Sequence, residues 1–389
     1  MTSERKRPVI IWGAGRIGRG FVAEAFDSPG YQLVLVDIVK PLIDSLNQAG
    51  KYTIHHADAS GIRDTVITGY VAHETGDEKA LLPYFLGAQP IVCVPGFASK
   101  VMELAQMMAH YVELRAEKTP DDPIDFVLSI NMMHPEVAFR EALKEALSGD
   151  EKVLQYLDAK VGIAPTVVMC ITPATPEEYL LLDPLSIYNN NFPELIIGKK
   201  GLRGALPAGG MIRLTDDIDA EETRKIYSLN MVHALVSYLC QGKPYKYIID
   251  AVNDTEIVPQ LIAALEESAI GLTGEFGFTI KEMRAWNQRM FSLLENPHIS
   301  DDLIRLGSDS LRKLGGDDRL VGAARLSLKH GGTPKIIAKA IRLGYEYKNP
   351  DEGTEEVQRL VQTEGLIGAM RKVSSIEDGE ALEAMILNS

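Results

Sequence analysis

Cysteine is scarce. The 389 residues hold three, Cys93, Cys170 and Cys240, too far apart for a CxxC pair and too few for a disulfide framework. A small disulfide-stapled scaffold is excluded, and a reducing, cytoplasmic setting is expected. Excess positive charge is also lacking. Forty Lys and Arg against 54 Asp and Glu leave a formal net charge of −14, which argues against nucleic acid or an anionic membrane as partner. No stretch offers the ~18 uninterrupted apolar residues of a membrane span. The apolar run after the basic start breaks at Gly13 and carries Arg16 and Arg19, so it does not read as a signal segment. Internal repeats and low-complexity tracts are missing too. What remains is 46% hydrophobic and 24% charged residues, the composition of an ordinary globular protein long enough for about two domains.

Short apolar, largely β-branched runs at Val9 to Trp12, Leu33 to Val36, Ile91 to Val94 and Phe126 to Ile130 alternate with helical patterns such as Val101 to Leu114. That rhythm predicts an α/β domain with a parallel sheet. A further apolar stretch, Val161 to Ile171, precedes the polar segment Tyr188 to Pro193 and the glycines Gly201, Gly204, Gly209 and Gly210, which read as connecting chain. Beyond Asp216 the 3.6-residue period dominates, in Glu221 to Cys240, Ile257 to Glu267, Ile280 to Glu295 and Pro334 to Leu343. The expectation is a dinucleotide-binding domain over 1–200 and an all-α domain over 201–389.

The first strand runs into Gly13-Ala14-Gly15-Arg16-Ile17-Gly18 and then a helical pattern through Phe21, Val22 and Phe26. Glycines so placed allow a tight turn and let a pyrophosphate approach a helix N-terminus, whereas the plainer reading is a βα turn alone. The context favours dinucleotide binding. Asp37 closes the next strand, where a carboxylate can hydrogen-bond an adenosine ribose and repel a 2′-phosphate. NAD is therefore expected over NADP, although Lys40 is close by.

In the second half, Lys225 to Val236 reads as a helix that is apolar nearly all round, and such a helix is buried. At roughly 100° per residue, Lys225, Asn230 and His233 fall within an arc of about 140°. They can be a proton-transfer site in which Lys225 takes a hydroxyl proton and Asn230 steadies the oxyanion. Alternatively, Lys225 sits at the exposed helix start while the other two make core hydrogen bonds.

The strand-GAGRIGRGF motif, the aspartate closing the second strand and Lys-x4-Asn-x2-His together resemble the long-chain polyol dehydrogenases, also called the mannitol dehydrogenase family. The similarity continues through Gly204-Ala205-Leu206-Pro207, Glu295-Asn296-Pro297, Leu311-Arg312-Lys313-Leu314 and Asp318-Arg319-Leu320. The resemblance implies a Rossmann-type domain followed by a helical one, with metal-free hydride transfer between NAD and a polyol or sugar phosphate in the cleft between them. It implies Lys225 as general acid/base, Asn230 and Asn131 as the oxyanion hole, and His233 orienting substrate. Arg305 and Lys313 match substrate-contact positions. The chain is nearest in size to the phosphate-handling branch, for which the pair would be mannitol 1-phosphate and fructose 6-phosphate. The cations Arg305, Arg312, Lys313 and Arg319 suit that reading, with a solvated helix face as the alternative. An unphosphorylated polyol or hexuronate, or a non-catalytic NAD-binding homologue, are the rival readings.

One departure stands out. Where the family reads Val-Asp-Arg-Ile-x-Pro, this chain has Val168-Met169-Cys170-Ile171-Thr172-Pro173, a loss that is either apolar repacking or a change of substrate or activity. His55 and His56, adjacent on a strand, face opposite ways and make a poor metal pair, and no metal is expected. His134 is a candidate lining residue or a satisfied loop residue. Glu222, one turn before Lys225, either tunes its proton or simply favours the helix dipole. The three cysteines read as packing residues. The chain is expected to be a monomer or small homo-oligomer.

Overall fold

The computed structural model describes residues 6–27, 30–192, 194–206, 209–299 and 301–389; Pro193 and Pro207, quoted above, lie outside them. The chain divides into two compact units, the first ending at Ile218 and the second beginning at Asp219.

The first unit is built on strands β1 (Arg7–Trp12), β2 (Tyr31–Asp37), β3 (Lys51–Asp58), β4 (Gly61–Thr68), β5 (Val71–Glu74), β6 (Ile91–Gly96), β7 (Ile124–Ile130), β8 (Val161–Val168), β9 (Ile187–Asn189), β10 (Leu195–Gly198) and β11 (Ile212–Thr215). Eight of them form one sheet in the order β11-β10-β8-β7-β6-β1-β2-β5. From β8 to β5 every neighbouring pair is parallel, with Ile10 opposite Val34 on one side and Val92 on the other. Both faces are covered, so these strands are near-continuous apolar runs; Val9, Ile10, Ile11, Val34, Leu35, Val92, Val94 and Phe126 are fully buried. In sequence order these six strands are arranged 3-2-1-4-5-6, the doubly wound order, whose direction reverses between β1 and β6.

The polar segment near residue 190 is not plain connecting chain. β9 pairs with β3 in a separate three-stranded sheet with β4, and β10 joins the main sheet antiparallel to β8. The asparagines are buried because each is hydrogen-bonded. Asn189 donates to the Gly20 carbonyl at 2.7 Å and meets His56 Nδ1 at 2.9 Å, while Asn190 Oδ1 accepts from the Ile171 N–H at 2.9 Å.

The second unit is all-α, as its periodicity predicts, with helices at Val258–Phe276, Ile280–Leu294, Val321–Lys329, Lys335–Glu346 and Glu352–Val373 among others. The helix over Ile280–Leu294 starts where Thr279 and Glu282 close a capping box: Thr279 N–H donates to Glu282 at 2.7 Å and Glu282 N–H to the Thr279 hydroxyl at 3.2 Å. Among the described residues no helix is long and apolar enough to cross a membrane.

Candidate active site

In the first unit, the strand ends that matter lie at one edge of the sheet, because β1, β2, β6 and β7 run parallel. Each glycine of the turn after β1 has its own reason. Gly13 has φ +133°, and a Cβ there would lie 3.2 Å from the Pro95 carbonyl of β6, at the point where the strand order reverses. A Cβ on Gly18 would lie 1.9 Å from the Gly13 carbonyl oxygen, so only glycine closes the turn. Gly15 is exposed, and a Cβ there would meet nothing within 4 Å. The space over Gly15 is thus open for a pyrophosphate, with Arg16 exposed beside it and Ile17 partly buried.

Arg19 was legible only as part of the motif, and it serves the turn. Its buried guanidinium donates to the Ala14 and Leu185 carbonyls, both at 2.6 Å. Asp37 ends β2, partly buried, and its carboxylate accepts from the Val39 N–H at 3.0 Å. Lys40, the cation that left NADP open, is held by Asp44 and Glu74, each at 3.0 Å. Three large apolar side chains at this edge were not anticipated: Ile38, Val39 and Phe97 are 79%, 51% and 80% exposed. Their position just past the ends of β2 and β6 suits a flat apolar ring, and an apolar pair after a strand-ending aspartate is a signal that sequence reading can use. Asn131 is exposed immediately after β7, and His134 takes the left-handed conformation (φ 48°) before the helix Pro135–Ala146.

Among the described residues, no group of three or more His, Cys, Asp and Glu side chains is arranged to hold a metal. His55 binds Asp64 at 2.7 Å and packs on the Tyr179 ring, tilted, with centroids 4.2 Å apart, whereas His56 meets Glu24 at 3.0 Å. All three cysteines are buried, and burial pushes the thiols up, that of Cys240 to about 11. Met169 and Cys170 are buried, 2% and 6% exposed, so the departure from the family pattern lies in packed interior. Cys170 faces Glu24, whose Oε2 is buried without a hydrogen bond.

In the second unit, the helix carrying Lys225, Asn230 and His233 is not uniform. It runs as α-helix over Ile218–Lys225, as one π turn over Ile226–Asn230, and again as α-helix over Met231–Leu239. The Met231 N–H reaches back five residues to the Ile226 carbonyl. In a regular α-helix a residue five positions on lies about 140° round the axis. The π turn holds an extra residue, so Asn230 comes round toward the face of Lys225 and the three polar groups share a narrower arc than a uniform helix gives. Periodicity alone could not reveal this, because it assumes one period throughout.

All three side chains are half-buried. Burial brings the Lys225 ammonium down from its ordinary 10.5 to about 8; Glu222, 6% exposed and one turn earlier, pulls it up, and Arg319 pushes it down. For His233 burial comes first and the cations Arg319, Arg305, Lys313 and Lys225 follow, bringing it to about 3. His233 is thus neutral throughout the working range and suits orienting a hydroxyl better than moving a proton.

The predicted cationic cluster exists, but it is largely compensated. Arg305 pairs with Asp301, Arg312 with Asp309 at 2.7 Å and Arg319 with Asp318 at 2.7 Å. The ammonium of Lys313, 5% exposed, donates to the backbone carbonyls of Leu306, at 2.7 Å, and Ser308, and burial brings its pKa to about 7. Of the four, Arg319 is the one whose charge acts on both Lys225 and His233. The Asp309–Arg312 and Asp301–Arg305 spacings are three and four residues, a pairing signal that a count of cations misses.

Two family models together span nearly the whole chain: the mannitol dehydrogenase Rossmann domain over residues 7–208 and the mannitol dehydrogenase C-terminal domain over 217–388. The chain belongs to the mannitol dehydrogenase family. Within reach of this mannitol dehydrogenase family member is a mannitol-1-phosphate 5-dehydrogenase of Thermoanaerobacter pseudethanolicus, 28% identical over 375 residues that make up 96% of this chain and 94% of the relative. A crystal structure of D-sorbitol dehydrogenase in substrate-free form has the same fold, with a TM-score of 0.82 at 16% identity, over 98% of this chain and 92% of that one. Mannitol 2-dehydrogenase of Pseudomonas fluorescens, solved with NAD and D-mannitol, gives 0.73 at 18% identity, over 99% and 91%.

Proposed function

We propose that this protein is an NAD-dependent dehydrogenase that interconverts a polyol and its ketose, with Lys225 as the general acid/base. The observation that carries the reading is a lysine whose amine is held near neutrality on one helix face with Asn230 and His233. The glycine turn and Asp37 fit NAD: Gly15 leaves the approach open, Asp37 supplies a ribose acceptor, and Lys40 is neutralised by two carboxylates. NAD, when bound, supplies the acceptor for a hydride and its two electrons.

The protein's own residues handle the proton. In polyol oxidation the neutral Lys225 amine accepts the hydroxyl proton as the carbinol C–H bond breaks toward the cofactor, leaving a C=O. In reduction the ammonium returns that proton to the alkoxide oxygen. The Asn230 amide donates to that oxygen, with Asn131 as its proposed second donor, and neutral His233 fixes the hydroxyl. This division needs no metal to acidify the alcohol.

The pH dependence follows in sign. Oxidation requires the neutral amine, so its rate rises through about pH 8 to a plateau, whereas reduction requires the ammonium and falls above the same pH. Arg319→Ala removes a charge that opposes protonation of Lys225, so the oxidation midpoint moves to higher pH. Initial rates between pH 6 and 10 for both proteins check this, and an unchanged midpoint contradicts the placement of Arg319.

The charge balance favours an unphosphorylated polyol, since Arg305, Arg312 and Arg319 each have an aspartate partner. A phosphorylated substrate is the second reading, favoured by the mannitol-1-phosphate 5-dehydrogenase relative along the whole chain. Comparing kcat/KM for fructose 6-phosphate, fructose, tagaturonate and fructuronate separates them. With an unphosphorylated substrate, Arg319→Ala lowers kcat/KM on the preferred ketose and leaves no selective defect on fructose 6-phosphate. With a phosphorylated one, loss is confined to fructose 6-phosphate and falls by roughly 10- to 100-fold, the value of a charge-assisted pair.

A further inference from the structure

The π turn over Ile226–Asn230 has a consequence for one carbonyl. In an α-helix the Tyr227 oxygen accepts from the N–H of Met231, but that N–H goes to the carbonyls of Ile226 and Ser228. A buried carbonyl without a donor is unfavourable. The donor it receives comes from another helix: the Ser268 hydroxyl, on Val258–Phe276 and 2% exposed, lies 2.5 Å from the Tyr227 oxygen. A second clamp acts one residue on. Trp286 Nε1 donates to the Ser228 hydroxyl at 2.8 Å, and that hydroxyl donates back to the Arg224 carbonyl, a bond from i to i−4 of the kind that bends helices. Arg224 in turn lies 3.9 Å over the Trp286 ring. Two neighbouring helices therefore hold the irregular turn, one at a backbone carbonyl and one at a side-chain hydroxyl.

We propose that Ser268 is a positioning residue, whose hydroxyl holds the Tyr227 carbonyl and so keeps the helix in the π turn that brings Asn230 to the face of Lys225. The inference rests on the reading of Lys225 as the acid/base, but the geometry it concerns is separate from that reading. Without the hydroxyl the Tyr227 carbonyl must find an N–H within its own helix, and Met231 N–H is the nearest in register. That rearrangement removes the extra residue from the turn and rotates Lys225 away from Asn230. The Ser268 hydroxyl acts on the backbone of the turn, at the Tyr227 carbonyl.

The test compares the wild-type protein with Ser268→Ala and Ser268→Thr, which removes and keeps the hydroxyl. Where the wild type turns over a polyol or ketose, Ser268→Ala is expected to lose about 10- to 100-fold in kcat, the scale of a small misplacement of a reacting group. KM and the NADH Kd change less than about threefold, and Ser268→Thr returns kcat to near wild type. A wild-type kcat in Ser268→Ala overturns the proposal, as does an equal loss in both variants that tracks a common fall in melting temperature. Where the wild type turns over no substrate, the dehydrogenase reading has failed, and the turn is read from amine labelling of Lys225 against pH. A labelling midpoint that moves toward that of an exposed lysine in Ser268→Ala and returns in Ser268→Thr supports the proposal. The same midpoint in all three proteins overturns it.

Discussion

Lys225→Ala lowers the turnover of polyol and ketose by about 10²–10⁴-fold, the usual share of a positioned acid/base, and leaves NADH binding at its wild-type strength. The separation is expected because the glycine turn and Asp37 belong to the first unit, whereas Lys225 belongs to the second. The residual rate of the variant loses the ionisation near pH 8 that belongs to the Lys225 amine; His233, brought to about 3, supplies none there, and any ionisation that remains belongs to buried Lys313, at about 7. A small primary amine added to the solution restores part of the lost rate, most effectively when its own pKa lies near the working pH. Stopped-flow turnover and NADH fluorescence titration check both halves. A variant that binds NADH normally and keeps wild-type turnover removes Lys225 from the chemistry.

The second large effect separates two glycines three residues apart. Gly18→Ala puts a methyl 1.9 Å from the Gly13 carbonyl oxygen, and backbone cannot move aside as a flexible side chain does. The variant is expected to lose about 3 kcal/mol of stability, the upper end for overpacking, together with measurable NADH binding. Gly15→Ala has room within the protein, so its melting temperature stays within the small range of surface substitutions. Its methyl nevertheless occupies the approach to the turn, and NADH Kd rises by about tenfold or more. Thermal unfolding read beside NADH titration distinguishes the pair. Equal effects at both positions contradict the assignment of Gly15 to ligand approach and Gly18 to turn closure.

The parallel sheet was legible because strands buried on both faces must be apolar throughout, as at Val9 to Trp12 and Leu33 to Val36. The helical second half was equally legible from its period. The small sheet of β3, β4 and β9 was not, because its strands mix His55, His56, Arg63, Asp64 and Asn189 into an alternation that gains meaning only when the hydrogen-bond partners are known. The glycine turn and the lysine helix announced themselves through local motifs. What escaped them were long-range or irregular features: the π turn, the Ser268 hydroxyl that satisfies it, and the buried Arg19 that braces the glycine turn from Ala14 to Leu185. Spacing along a chain cannot specify which element arrives from 41 residues away to hydrogen-bond a carbonyl.

The cation count between Arg305 and Arg319 illustrates a second limit. Four positive side chains read as a phosphate site until their partners are known, and three of them turn out to face aspartates. The more exposed of these pairs, at Arg305 and Arg312, contribute little to stability, but all three reduce the field available to a dianion. Met169 and Cys170 show the opposite case. Where the resemblance implies a charged pair, these two side chains pack in the interior, an arrangement that is often neutral for stability, and Glu24 acts on Cys170.

The proposed chemistry moves a hydride between NAD and a polyol carbon while Lys225 carries the proton. Its most direct test is NADH consumption by chelator-treated protein with a panel of ketoses, using NADH deuterated at the transferring position and mass analysis of the product. The expected result is NADH loss matched by polyol formed, with one deuterium on the new carbinol carbon. NADH bound but consumed with none of the ketoses, or polyol formed without deuterium, would contradict it.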